Sequence, residues 1–376
     1  MGRVTSARRI LMVTSEYAPP AKAGGLADAV AALARALYDL GLDVRVVMPR
    51  YGFIDPASLE RVPGPLGIPI GLREEWVGVY RLPGELPVYL LDHEGAFGRQ
   101  GIYNQGNVDY SDNPRRFALL SYGAFQLCRF LQWTPEVIHA HDWPTGLVPG
   151  YLKSRETGGE FAHTRSVFTI HNIGYQGIFA SEEFAHAGIS LDRFVDLGYS
   201  RDGLYNMLHG ALTSADLLTT VSPSYAEELL QPGGAFGMEE VLSRRREDLH
   251  GVLNGIDPEV WNPEADPAIP KPFSAADLTG KDEAKAALQR RYHLPERPEV
   301  PLIGMIGRLA EQKGIRHLFG DASAPGPGSP RGDASAPGEH ISGPARAAPA
   351  DAPGGVSSAS ARPVPGPGAV ERLCRE

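Results

Sequence analysis

Apolar and polar positions along the first part of the chain follow the order strand, helix, strand. The run Ile10–Val13 is apolar throughout, whereas Leu26–Leu40 places leucine and valine at steps of three and four residues, which predicts a helix. Val44–Met48 is a second short apolar run, and Pro49 closes it. Such a βαβ unit implies a parallel sheet, which binds ligands at the carboxyl ends of its strands.

The same alternation continues to about residue 257. Residues 52–100 are interrupted by Gly and Pro, and we expect an inserted hairpin region there. The remaining patterns predict the helices Asn113–Leu131 and Met207–Ala215, and the strands Trp76–Leu82, Pro87–Leu91, Val137–Ala140, Ser166–Ile170, Leu217–Val221 and His250–Leu253.

Polar side chains follow most of these strands at the point where each strand ends. A single histidine at a strand end is more often structural than catalytic, but several such ends meet at one edge of a parallel sheet and favour a ligand site. We expect His139 and His141 to lie on opposite faces of their strand, and no cluster has zinc-site spacing, so no metal is expected. The residues at these strand ends are Lys22, His141, Asp142, His171, Asn172, Ser222 and Asn254.

The loop between the first predicted strand and helix has the features of an anion site. Gly24 and Gly25 let the backbone approach a ligand, the helix start leaves amide groups unpaired, and Lys22 adds a positive charge. The alternative stays open at this point, namely that the glycines only shape a turn and Lys22 is solvated. No G-x-G-x-x-G or Walker motif is present to decide between them.

Composition restricts the class of protein. The chain has 376 residues, enough for about two domains, and a net charge of −9 without a basic block, which argues against nucleic acid as a partner. It has only two cysteines and no apolar segment as long as the roughly 18 residues of a membrane span. We therefore expect a cytoplasmic protein without a membrane partner.

The pattern changes at about Gly320. Residues 320–376 contain no Phe, Trp or Tyr, and the string Gly320–Gly326 recurs at Gly332–Gly338. Such a segment cannot bury enough apolar surface to offset its ordering entropy, so it is predicted to be disordered. A frameshift or truncation in a GC-rich gene would give this composition, and a genuine linker is the alternative.

Several strings of the chain, in the same order, resemble bacterial glycogen synthases and plant starch synthases. The resemblance implies two Rossmann-like domains in a GT-B fold. It also implies an α-retaining transfer of glucose from ADP-glucose to the 4-OH at the non-reducing end of an α-1,4-glucan, without a metal or cofactor. The matching strings are Ser15-Glu16, Lys22–Asp28, His139–Trp143, Thr169–Gly177, Thr220–Ala226, Gly251–Asp257 and Ile306–Gly314.

The resemblance also implies roles for particular residues. His171 would contact the glucosyl unit, and Arg308 and Lys313 would pair with the departing diphosphate, which accumulates negative charge in the transition state. The donor side would contain Lys22, Gly24, Gly25 and Asn254, and the acceptor groove Asp28, Tyr103, Asp142, Trp143 and Asn172.

We expect a flexible N-terminus at 1–8, an N-terminal Rossmann-like domain at 9–262, a fragment of the second domain at 263–319, and the tail at 320–376. In the fragment, Ser274–Tyr292 is expected to be a helix and Leu302–Ile306 a strand. The Glu-x-Cys-Gly-Leu type motif of the family does not occur, so we expect this chain to be inactive.

Two other classes remain open from the sequence. One is a non-catalytic module that binds α-glucan or nucleotide. The other is an unrelated nucleotide-binding protein such as a dehydrogenase, which the sequence disfavours because the glycine fingerprint and the ribose-binding acidic residue are missing.

Overall fold

Fourteen strands and nine α-helices form the part of the chain that the computed structural model describes, which is residues 8–306 without 72 and 107, and residue 314. The strands are β1 (Arg9–Val13), β2 (Asp43–Pro49), β3 (Glu60–Ile70), β4 (Arg73–Arg81), β5 (Val88–Asp92), β6 (Asn104–Gln105), β7 (Val108–Asp109), β8 (Val137–His141), β9 (Arg165–Ile170), β10 (Ile178–Ala180), β11 (Ser200–Arg201), β12 (Leu204–Asn206), β13 (Leu217–Thr220) and β14 (Leu249–Gly251). The helices are α1 (Gly25–Asp39), α2 (Glu94–Phe97), α3 (Asn113–Phe130), α4 (Leu147–Ser154), α5 (Leu191–Asp196), α6 (Met207–Ser214), α7 (Pro223–Leu229), α8 (Glu239–Arg244) and α9 (Thr279–Arg291).

Nine of these strands form one sheet in the order β14-β13-β9-β8-β1-β2-β5-β4-β3. The strands from β14 to β5 pair in parallel, and β4 and β3 continue the sheet antiparallel at one edge. The predicted α/β fold with a parallel sheet is confirmed. The hairpin expected within residues 52–100 is present as the antiparallel pair of β4 and β5, but it belongs to the main sheet and is not an insertion into it.

Strand β1 lies in the middle of the sheet, and its last three residues are buried, as its uninterrupted apolar run requires. Helix α1 covers the sheet through Leu26, Val30 and Ala34, which recur at helical spacing and are buried. Helix α3 begins with Pro114 in its first turn and is buried along most of its length. The core therefore lies between the sheet and these helices.

The chain divides into two compact units, residues 1–299 and 300–376. The helix predicted at Ser274–Tyr292 is present as α9, in the first unit. The strand predicted at Leu302–Ile306 is wrong, because these residues form no strand and are exposed. An apolar run becomes a strand only where a neighbouring strand takes its backbone hydrogen bonds, and the described residues provide no such neighbour here.

Some expectations lie outside the described residues, namely those for residues 1–7, for Arg308 and Lys313, and for the tail at 320–376. The domain boundary at residue 262 stays a prediction. In the part of the chain that is described, no helix is both long and apolar enough to cross a lipid bilayer.

Helices α4 and α6 approach the buried ring of Tyr199 through Gly150 and Gly210, where an added Cβ would overlap that ring. Replacing a glycine within a helix by alanine ordinarily stabilises it by about 1 kcal/mol. For Gly210→Ala we expect net destabilisation by up to about 2 kcal/mol, because overpacking a core costs about 1–3 kcal/mol.

Urea unfolding of the variant and the parent chain measures this difference. Gly25→Ala is the matched control, since a Cβ at this first residue of α1 would meet no atom within 4 Å. An unchanged or higher stability of Gly210→Ala would show that Tyr199 can move aside.

Candidate functional site

The carboxyl ends of β8 and β9 are adjacent, and one carboxylate connects them. Asp142 follows β8 with a positive φ of 57°. Its Oδ1 atom accepts hydrogen bonds from the backbone N–H of His171, at 2.8 Å, and of Asn172, at 3.3 Å. The structure therefore brings together three of the residues proposed from the sequence.

Three histidines lie in contact beside this carboxylate. The ring centroids of His139 and His141 are 4.1 Å apart, and Nδ1 of His141 is 3.2 Å from Nε2 of His171. The expectation that His139 and His141 lie on opposite faces is wrong, because side chains two residues apart on a strand point to the same face. Among the described residues, no group of three or more His, Cys, Asp or Glu could hold a metal ion.

Burial controls the charges of this cluster. It raises the pKa of Asp142 to about 7, although the two N–H groups that bond the carboxylate oppose the shift. Burial also lowers the pKa of His139 to about 3 and that of His171 to about 4, and it holds the pKa of His141 well below its usual value. At pH 7 the three imidazoles are therefore neutral.

Trp143 forms an aromatic cluster at the same edge of the sheet. Its ring centroid is 5.0 Å from that of Phe117, 5.8 Å from that of Phe179 and 5.9 Å from that of Tyr103. Gly177 has a φ of +63°, and a Cβ there would be 2.5 Å from the indole ring. The position of Trp143 is thus restricted from several sides.

The loop that contains the glycine pair already holds an anion, the buried carboxylate of Glu16. Its Oε2 atom accepts from the N–H of Ala23, at 2.6 Å, and of Gly24, at 2.9 Å, and Oε1 accepts from the hydroxyl of Tyr103, at 2.6 Å. The sequence had suggested that the amide of Gly24 could bind a phosphate. This amide is not free to do so, because it already donates to Glu16. Sequence reasoning missed this role of Glu16, and its only signal was a carboxylate just before a Pro- and Gly-rich loop.

Lys22 and Asp28, predicted for opposite sides of the site, form an ion pair of 2.7 Å. Their side chains are 46% and 36% exposed, and such surface pairs contribute about 0–1 kcal/mol, so a ligand can separate them. Gly25 is the first residue of α1. Asn254 is exposed beyond β14, and its backbone N–H donates to the carbonyl of Val221.

The raised pKa of Asp142 predicts a pH effect on stability. The folded protein keeps a proton on this carboxyl that the unfolded chain releases near pH 4, so this group lowers stability as the pH rises from about 4 to about 7. Asp142→Asn keeps the acceptor oxygen but has no proton to lose. We therefore expect the free energy of unfolding of the variant, relative to the parent chain, to increase between pH 4 and pH 8 by up to about 4 kcal/mol.

Urea unfolding at several pH values measures this difference. The lowered pKa values of the histidines act in the opposite direction, since they raise stability up to about pH 6.5, but they act in both proteins and cancel. A difference that does not change with pH would contradict the raised pKa of Asp142.

The chain matches known proteins over most of the described residues. A family model described as starch synthase catalytic domain matches residues 9–244. The glycogen synthase of Treponema denticola is 49% identical over 316 residues, which cover 83% of this chain and 64% of that protein. Glycogen synthase 1 of Geobacter sulfurreducens is 46% identical over 313 residues, with 81% and 62% covered. The chain thus spans less than two thirds of the length of these relatives.

A solved structure supports the same relationship. The catalytic domain of starch synthase IV from Arabidopsis thaliana, bound to ADP and acarbose, matches with a TM-score of 0.74 and 30% identity, and the match covers 84% of this chain and 65% of that chain. The predicted GT-B type of α/β fold is confirmed by this match. Because the family model covers more than half of the sequence, the chain belongs to the family of bacterial glycogen synthases and starch synthases.

Proposed function

We propose that this chain derives from an enzyme that transfers glucose from ADP-glucose to the non-reducing end of an α-1,4-glucan, and that its described residues form the glucan-binding side of that site. The observation that carries the proposal is the meeting of Asp142, His171 and Trp143 at adjacent strand ends. The names of the relatives support the reaction. ADP and acarbose in the Arabidopsis structure support a nucleotide and a sugar-like ligand.

The aromatic cluster fits a glucan. Trp143 and Tyr103 are half-buried, and the exposed parts of their rings would offer apolar surface to the C–H groups of a sugar. Asp142 and Asn172 would offer polar groups to its hydroxyls. The neutral state of His171 makes it a hydrogen-bonding group rather than a counter-charge. Charge stabilisation of the departing diphosphate would come from Arg308 and Lys313, and Lys22 would bind the donor.

The sequence contains no Glu-x-Cys-Gly-Leu type motif, which would place a glutamate opposite the glucosyl group. This absence favours a second candidate function, an α-glucan or nucleotide-binding module without turnover. Glucan binding is common to the first candidate and to an α-glucan-binding module, so only elongation separates those two.

Glucan binding tests the part of the proposal that the described residues carry. Trp143→Ala should weaken maltoheptaose binding about tenfold or more in isothermal titration, because covering a large apolar side chain stabilises a complex by about 1.5–3 kcal/mol. Trp76→Ala is the matched control, since Trp76 is 59% exposed on β4 and lies outside this cluster. If both substitutions weaken maltoheptaose binding equally, or if neither weakens it, Trp143 is not part of the site.

Elongation tests the reaction. The 376-residue chain with ADP-glucose and maltoheptaose should release ADP below a hundredth of the rate of the intact Treponema denticola glycogen synthase. Losing one preorganised catalytic group already costs about 10²–10³ in rate. Residues 1–262 fused to the matching remainder of the Treponema protein should elongate the glucan.

The fusion also tests one residue, because His171→Ala should lower its kcat by about 10²–10³. Elongation by the unfused chain at a comparable rate would contradict the proposed inactivity. A folded fusion that binds maltoheptaose without elongating it would favour the binding module.

A further inference from the structure

The buried Nε2 atom of His141 determines which ring nitrogen of His171 carries the proton. Nδ1 of His141 and Nε2 of His171 share a hydrogen bond, and Nε2 of His141 is buried without a hydrogen-bond partner among the described residues. The ring of His139 packs against that of His141 at an interplanar angle of 34°, and its own Nε2 bonds to the hydroxyl of Thr169, at 2.6 Å. His139 thus packs against His141, while Nε2 of His141 forms no hydrogen bond to a described residue.

Each ring is neutral at pH 7, because burial lowers all three pKa values, so each carries a single N–H. Two arrangements of the shared bond follow. Either Nδ1–H of His141 donates to His171, or Nε2–H of His171 donates to His141. In the second arrangement the proton of His141 must sit on its Nε2 atom.

The two arrangements differ in what they leave buried. The second arrangement leaves an N–H donor of His141 buried without a partner, and orphaned buried N–H groups are rare. The first leaves only a lone pair of His141 without a partner. The first arrangement also requires that His171 accept at Nε2 and carry its proton on Nδ1. This Nδ1 atom forms no hydrogen bond to a described residue.

We propose that His141 is a positioning residue that fixes His171 as its Nδ1–H tautomer, so that His171 presents a hydrogen-bond donor to an oxygen of the sugar ligand. The sugar as the recipient rests on the proposed function, whereas the tautomer does not. The same bond holds the orientation of the imidazole, because a ring bonded at Nε2 cannot flip without losing that bond. A donor fixed in advance needs no reorganisation when the ligand binds.

The tautomer is measured directly on the full chain labelled with ¹⁵N-histidine. Long-range ¹H–¹⁵N correlation spectra distinguish a protonated from a bare ring nitrogen, and the signals of His171 are those lost in His171→Gln. We expect a protonated Nδ1 and a bare Nε2 in the parent chain at pH 7. A protonated Nε2 on His171 would overturn the proposal even if no variant at His141 folds.

Variants then test the cause. His141→Leu removes the donor and should move His171 toward its Nε2–H form, whereas His141→Asn can retain an N–H near the same place and should preserve the parent spectrum. His139→Leu is the matched control, because it changes the same buried cluster without touching His171. An unchanged His171 signal in a folded His141→Leu variant would overturn the assignment to His141.

Ligand titration separates this inference from the proposed function. Addition of ADP-glucose or maltoheptaose should shift the Nδ1 signal of His171 more than that of Nε2. Binding elsewhere, with both signals unchanged, would overturn the role toward the sugar. Absence of any binding would count against the proposed function, while the spectra of the free chain still decide the tautomer.

Discussion

The carboxylate of Asp142 is the contact on which the rest of the proposed site depends. The backbone N–H of Asp142 donates to the carbonyl of Thr169, and its carboxylate accepts from the backbone N–H groups of His171 and Asn172. Three hydrogen bonds therefore join the ends of β8 and β9. The positive φ of Asp142 costs about 1–3 kcal/mol, and burial adds the cost of desolvating a carboxylate. The two N–H donors offset part of both, and they also fix the backbone from which His171 and Asn172 project.

Glu16 has the corresponding role in the loop between β1 and α1. It joins the amides of Ala23 and Gly24 to the hydroxyl of Tyr103, and Tyr103 lies against Trp143. Hydrogen bonds therefore join the loop predicted for the donor to Tyr103, and a ring contact joins Tyr103 to Trp143, which was also predicted for the acceptor. Because the amide of Gly24 donates to Glu16, we propose that Lys22 would bind a donor phosphate in this loop.

Much of the fold could be predicted from the sequence, because periodicity of apolar residues reports which face of a strand or helix is buried. It gave the order of strands and helices around β1 within one or two residues of their ends. It did not give the antiparallel extension β3–β4, since edge pairing depends on which strand is left unpaired. It failed at Leu302–Ile306, where local sequence favours a strand but the described residues offer no neighbour to pair with.

The site was predicted less completely than the fold. Strand ends indicated His171 and Asp142, because parallel strands bring their carboxyl ends to one edge, whereas Trp143 was proposed only from the resemblance. Hydrogen bonds between residues distant in the chain could not be predicted, and these include the bond between Glu16 and Tyr103 and that between His141 and His171. Which backbone amides stay free is a property of the folded loop, and composition does not report it.

The most direct test of the proposed site is a crystal structure of the full chain with maltoheptaose. We predict a glucose unit stacked on Trp143, with a hydroxyl within hydrogen-bonding distance of Asp142 or His171. We also predict that Glu16 keeps its bonds to the loop amides in the complex. Maltoheptaose bound only elsewhere, for example against Trp76, with the aromatic cluster empty, would contradict the proposed site.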